Sequence, residues 1–152
     1  MAAQVGRTNA KNISFWLDNS AGTLTNLTAY TKSIGTVGVT YEEQDVTAYS
    51  DGVKNVTIGR ADAPLSITFQ WDTVVFAHLI ALSRTTPLSL DIRFGIRHDW
   101  EAGEPTFGIS SSATSGYLLK DLTATDTEIT ASFVVFGPTA PGWATSANTK
   151  NA

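Results

Sequence analysis

Apolar and polar residues alternate over Leu65, Ile67, Phe69 and Trp71, interleaved with Ser66, Thr68, Gln70 and Asp72, which sets four apolar side chains on one face of a strand. The same period runs through Leu88, Leu90, Ile92, Phe94 and Ile96 against Ser89, Asp91, Arg93, Gly95 and Arg97. Shorter pieces follow the rule less cleanly. Ile13 to Asp18 is an apolar run closed by Asn19-Ser20-Ala21-Gly22, a turn composition. Val37, Val39 and Tyr41 alternate, lose phase across Glu42-Glu43-Gln44-Asp45 and resume at Val46 and Ala48, which predicts a bulge or a turn. Ser50-Asp51-Gly52 predicts a turn, with Val53 to Ile58 running back as the next strand. Tyr117 to Leu122 and Ile129 to Phe136 form a further pair across Thr123 to Glu128. Because Phe133 to Phe136 is apolar at every position, that strand is expected to be covered on both sides.

One segment has a different period. Val75, Phe76, Leu79, Ile80 and Leu82 fall at helical spacing, Asp72 stands where an N-cap belongs, and Thr86-Pro87 follows, so a helix is predicted over about residues 72–83. A helix this short with one apolar side must pack on other structure, here an edge or opening of the sheets. Residues 97–117 carry a weak pattern and a Ser-rich run and read as one long loop, functional or mobile. The fold class expected is mostly β (α+β), a β-sandwich with one flanking helix. Residues 1–12 read as a flexible arm, 13–145 as a single domain and 146–152 as a flexible tail.

Composition sharpens this picture. Only 16% of the 152 residues are charged, while 22 Thr and 13 Ser supply polarity, and Thr suits a pleated, half-buried surface. Cys is absent, which excludes disulfides, thiolate metal sites and cysteine nucleophiles. No apolar run approaches the ~20 residues of a membrane span, and no hydrophobic stretch follows the first residues as in a secretory signal. A net charge of −4 without a basic cluster argues against a protein that grips nucleic acid. The expectation is a soluble, intracellular β domain.

Candidate chemistry is sparse. His98, Asp99, Trp100 and Glu101, with Glu104 nearby, are the one local cluster of titratable groups. Carboxylates beside an imidazole can share a cation or a proton, but no second histidine or nucleophile motif is spaced to join them, so the cluster reads as a polar loop at a strand end. His78 reads as a surface or interface residue of the helix. Glu42, Glu43, Asp45 and Asp51 lack the spacing and the inner glycine of a calcium loop. No nucleophile-elbow, phosphate-loop or zinc-helix motif occurs, so neither an enzyme, a cofactor nor a metal is expected. Aromatic residues in loops and tails, such as Tyr49, Trp100 and Trp143, suit contacts between proteins. Strands poor in charge leave their edges weakly guarded against pairing with copies of the same chain.

The order of segments resembles that of the tail tube (major tail) proteins of long-tailed bacteriophages. The residues that carry the likeness are Phe15-Trp16-Leu17-Asp18-Asn19, Leu24-Thr25-Asn26-Leu27-Thr28-Ala29-Tyr30, Asp45-Val46-Thr47-Ala48-Tyr49-Ser50-Asp51-Gly52, and Leu65 to Asp72 with the helix after it. Asn26 stands where that family often has Asp, and Ala48-Tyr49-Ser50 departs from its second pattern; the likeness spans Ile13 to Gly137. The resemblance implies a sandwich flanked by a helix, assembled as stacked hexameric rings around a tape-measure protein, with hairpins lining a lumen that later conducts DNA. It further implies tail-terminator or baseplate partners and a place in the virion tail, assembled in the bacterial cytoplasm. A lumen that must release DNA should not bind phosphate, and an acidic subunit suits that. Arg93 and Arg97 pull the other way, so their strand face is expected to meet neighbouring subunits. The residues expected at subunit contacts are Tyr41, Glu42, Glu43, Asp45, Tyr49 and Asp51 in one segment and His98, Trp100, Glu101 and Phe107 in the other. Two alternatives stand beside this reading: a head decoration, neck or tail-terminator protein, or a carbohydrate-binding module stacking sugars on Trp100, Trp143 and Tyr117.

Overall fold

The computed structural model describes residues 8–19, 24–82, 84–96 and 98–147. The elements are β1 (Thr8–Asp18), β2 (Leu24–Asn26), a 3-10 turn (Thr28–Tyr30), β3 (Thr31–Ile34), β4 (Thr40–Asp45), β5 (Val56–Asp62), β6 (Leu65–Gln70), α1 (Thr73–Ile80), β7 (Leu90–Ile96), β8 (Thr106–Ile109), β9 (Gly116–Ala124), β10 (Glu128–Phe136) and β11 (Gly142–Ala144). They form a five-stranded sheet in the order β11-β8-β7-β1-β2, a four-stranded sheet β3-β6-β10-β9, and the separate hairpin β4-β5. The mostly-β class with one helix is the fold observed.

Register explains why the two larger sheets share a core. In the four-stranded sheet Phe69 pairs with Ile129, Ile67 with Ala131 and Leu65 with Phe133. In the other sheet Ile92 lies between Phe15 and Phe107, and Leu90 between Leu17 and Ile109. All of these side chains are buried and all but Phe107 belong to one apolar cluster, so each alternating strand turns its apolar set inward. Leu88 and Tyr117 exchange backbone hydrogen bonds of 2.8 and 3.0 Å and so tie the start of β7 to β9 across the two sheets. The fully buried Tyr117 hydroxyl donates to the Ala63 carbonyl at 2.9 Å. Burial first, then the Asp62 charge, raises its pKa, so the phenol stays a donor.

The helix begins one residue after its cap: the Asp72 carboxylate accepts from the Val74 N–H at 2.7 Å. Regular helix ends at Ile80, short of the expected 83, and Ser83 itself lies outside the described residues. Val75 and Leu79 enter the core with Leu82, so α1, which links β6 of one sheet to β7 of the other along the chain, packs on the cluster the two sheets share. The outward Val74 and Ile80 remain exposed. His78 Nε2 lies 3.2 Å from the Asp18 carbonyl, which neutral imidazole can donate to.

Several expectations are corrected. β1 starts at Thr8, so residues 8–12 are strand and not arm; 1–7, the turn residues 20–23, and the tail from 148 lie outside the described residues. The loop between residues 97 and 117 contains β8, every residue of which is buried. A strand covered on both faces does not alternate, and Gly108 sits where an added Cβ would stand 1.9 Å from the Leu90 carbonyl oxygen. The end of β10 is not covered on both sides: Phe133 faces the core, Val134 is half-buried and Phe136 is exposed.

Replacing Phe69 by Ala is expected to cost about 3–5 kcal/mol in urea unfolding, while Ile58→Ala, in the exposed hairpin, stays within about 0.5 kcal/mol of the parent. Burial, the largest influence, lowers the His78 pKa below its ordinary 6.5, against a smaller opposing pull from Asp18. The unfolded chain therefore binds the proton more tightly, and stability falls as the pH drops through and below 6.5. Thermal melts between pH 7.5 and 5.5 should show this slope, and His78→Gln should flatten it.

Candidate functional site

Two surfaces gather the residues singled out by sequence. The first is the hairpin. Every residue from Thr40 to Ile58 is exposed, and β4 pairs with β5 alone among the described strands. The phase slip is a register shift between Tyr41 and Glu43, as expected. The returning strand starts later than expected, at Val56, and runs to Asp62. Its connecting loop is fastened by side chains: Asp45 accepts the Thr47 N–H at 2.9 Å, Asp51 accepts the Ala48 N–H at 2.8 Å, and the Thr47 hydroxyl accepts the Asn55 N–H at 2.8 Å. Hydrogen bonds from Thr47 lower the Asp45 pKa; those from the Ala48 backbone and then Asn55 lower that of Asp51. Both carboxylates thus organise the loop while facing water.

Within the hairpin, Glu43 stands opposite Ile58 and Asp45 opposite Val56. Directly opposed residues share a face, so one face carries two acids along β4 beside two aliphatic groups along β5. Tyr41, Val46, Val53 and Ile58 are all more than half exposed, and Tyr49 is fully exposed. An isolated two-stranded hairpin is marginally stable in water, and apolar groups left exposed in a cluster mark a contact surface.

The second surface is the outer face of the five-stranded sheet, and here the structure revises the expectation. Residues 98–104 fold back over β7 at Gly95, where an added Cβ would stand 2.3 Å from the His98 carbonyl oxygen. Buried Glu104 holds the loop: it accepts the Glu101 N–H at 3.0 Å, its carbonyl accepts the Trp100 indole N–H at 2.9 Å, and His98 Nε2 sits 3.5 Å from its carboxylate. His98, Trp100 and Glu101 are half-buried. Phe107, expected at a subunit contact, is 1% exposed and packs edge-on against Trp143 with centroids 5.1 Å apart. A side chain enclosed by its own chain offers nothing to a neighbour, so that expectation is corrected.

Arg93 is also claimed internally. It forms a 2.7 Å ion pair with the fully buried Asp91 and lies 4.3 Å from the Trp16 ring centroid and 5.3 Å from that of Trp100. This cation held between two indoles beside a carboxylate is what the strand pattern could not reveal. Arg97 lies outside the described residues. Of the three residues of the sugar-stacking platform Tyr117 is buried, Trp100 is half-buried, and Trp143 packs on Phe94 and Phe107 while remaining 54% exposed. Among the described residues no three His, Asp or Glu side chains converge to hold a metal ion.

Arg93→Leu is expected to cost about 1.5–3 kcal/mol, the range for a hydrogen bond to a charged group, and to shift tryptophan emission to the red as the loop loosens. Arg93→Lys should recover less than half of the loss, since an ammonium lacks the planar fork. Unchanged denaturation and emission in both variants would remove the clamp from the account.

No protein-family model matches the chain, and no curated protein matches it. Among solved structures it is similar to a chain of the anti-feeding prophage (AFP) baseplate, determined by cryo-electron microscopy and 6-fold symmetrised. The TM-score is 0.58 at 10% identity, over 95% of this chain and 97% of that one. At this identity the two share a fold, and they share it over nearly their whole lengths.

Proposed function

We propose that the chain is a structural subunit of a phage tail or phage-tail-like particle, assembling as hexameric rings that stack into the tail tube through which DNA passes. The observation that carries this reading is the near full-length likeness of fold to a chain of a sixfold baseplate. The segment order supports it from the sequence side. The hairpin supports it physically, because Val56 and Ile58 leave apolar surface exposed beside its acids, which a neighbouring subunit can cover. Tyr41, Glu42, Glu43, Asp45, Tyr49 and Asp51 are the subunit contacts in this reading, with the rim of the loop at His98, Trp100 and Glu101 as a second contact. The work is mechanical and not catalytic. Partners are further copies of the chain, a tape-measure protein in the lumen, and tail-terminator or baseplate proteins at the tube ends. DNA passes without being held, and the protein resides in the virion tail after assembly in the bacterial cytoplasm.

A second reading is favoured by the same neighbour, which belongs to a baseplate: a ring that joins tail parts and does not stack on itself. Purified protein examined by negative-stain electron microscopy and mass photometry separates the two. Sixfold rings that elongate into tubes with rising concentration are expected for the tube, and discrete rings that never stack support the second reading. A monomer at every concentration, featureless in stain, overturns both.

A further inference from the structure

The two sheets leave an open seam on one side. Among the described strands β2 pairs with Trp16–Asp18 of β1 alone, and β3, the edge of the four-stranded sheet, with β6 alone. Between β1 and β3 lies a cavity of about 350 Å³ lined by Ile13, Phe15, Thr28, Thr31, Lys32, Ser33 and Ile34. Ile13 and Ile34 are only partly buried, packed against the margin of the core. On the β1 side the Phe15 N–H is taken by the Thr28 hydroxyl at 3.1 Å and its carbonyl by Leu27 at 2.9 Å. The backbone edge on offer is therefore the outer side of β3, and an apolar slot runs beside it.

We propose that this seam receives the β4-β5 hairpin of a second copy of the chain, added as strands to the edge of β3. The chemistry of the two surfaces matches. Ile58 and Val56 are aliphatic groups without cover, and the seam offers Ile13 and Ile34. Glu43 and Asp45 share the face of Ile58 and Val56, Glu43 holding only an exposed 3.7 Å pair with Lys54 that solvent screens, and Lys32 stands at the seam. Lys32 pairs with Glu128 across an exposed surface, a link that solvent screens and that a second acid can compete for. Hairpin and seam are different patches, so the contact is head-to-tail, the kind that closes into a ring when the rotation permits. The inference rests on the ring reading above and names the surfaces that make the ring.

The absence of cysteine makes a direct test possible. Ile34→Cys, on the slot side of β3 opposite the core residue Ile67, is combined in turn with Val56→Cys, Ile58→Cys and Thr57→Cys, the last on the opposite hairpin face, and each purified protein is mildly oxidised. The expected result is an intermolecular ladder ending at six chains for the Val56 and Ile58 pairings, at least tenfold stronger than for Thr57. Rings visible by microscopy without such a ladder, or equal ladders from all three, overturn the seam contact and leave the ring reading standing. Loss of both rings and ladders sinks the two together. Independently of the cysteines, Lys32→Glu should weaken assembly at least tenfold and Glu43→Lys on the same chain should restore it; failure of that rescue counts against the contact.

Discussion

The packing of two sheets onto one apolar cluster is the constraint from which the rest follows. Strand side chains alternate, so a sheet buries a face only if its register keeps every apolar residue on the same side. The pairings Phe69–Ile129 and Phe15–Ile92 hold that register in the two sheets. The Leu88–Tyr117 bridge fixes how the sheets meet. Tyr117 does so while burying its ring against Phe133 and satisfying its hydroxyl at Ala63. An unpartnered hydroxyl at that depth would cost about 1–3 kcal/mol. With apolar groups committed inward, hydroxyl residues can serve the outer faces, which accounts for a chain rich in Thr and poor in charge.

The same constraint separates the two outer surfaces. On the five-stranded sheet, Gly95 lets the 98–104 loop approach the strand, and Arg93 is consumed by Asp91 and two indoles. A buried charge must be paired, so this face is committed to internal order. Among the described residues the two hairpin strands pair with each other alone, and none of their side chains belongs to the shared core. The hairpin's carboxylates shape its own turn instead. One surface is thus ordered by contacts within the chain, and the other keeps aliphatic groups exposed.

Legibility followed burial symmetry. A strand with one face inward, β6 above all, was readable because period two reports a one-sided environment, whereas the continuous apolar run that ends β10 hid an exposed end. The Asp72 cap and the helix after it were readable from local chemistry alone. β8 was not, because all four residues are buried and Gly108 is dictated by the backbone of Leu90, a residue distant in sequence. Phe107 and Arg93 were misjudged for the same cause: an aromatic in a weakly patterned stretch and an arginine on a polar strand face are exposed or enclosed according to what folds over them. The acidic hairpin segment was found by its phase slip and turn residues, although its returning strand lay further along than the turn suggested.

By itself the sequence determined the β-rich class, the one capped helix, the strands that face the core and the absence of cysteine chemistry, since each depends on residue type and short-range periodicity. The tertiary structure alone decided which strands join which sheet, that Phe107 is inside, that Arg93 is clamped, and that the hairpin forms a sheet of its own. Those outcomes depend on contacts between residues far apart in the chain, where close approach, desolvation and pairing of charge are set by the neighbours that folding brings.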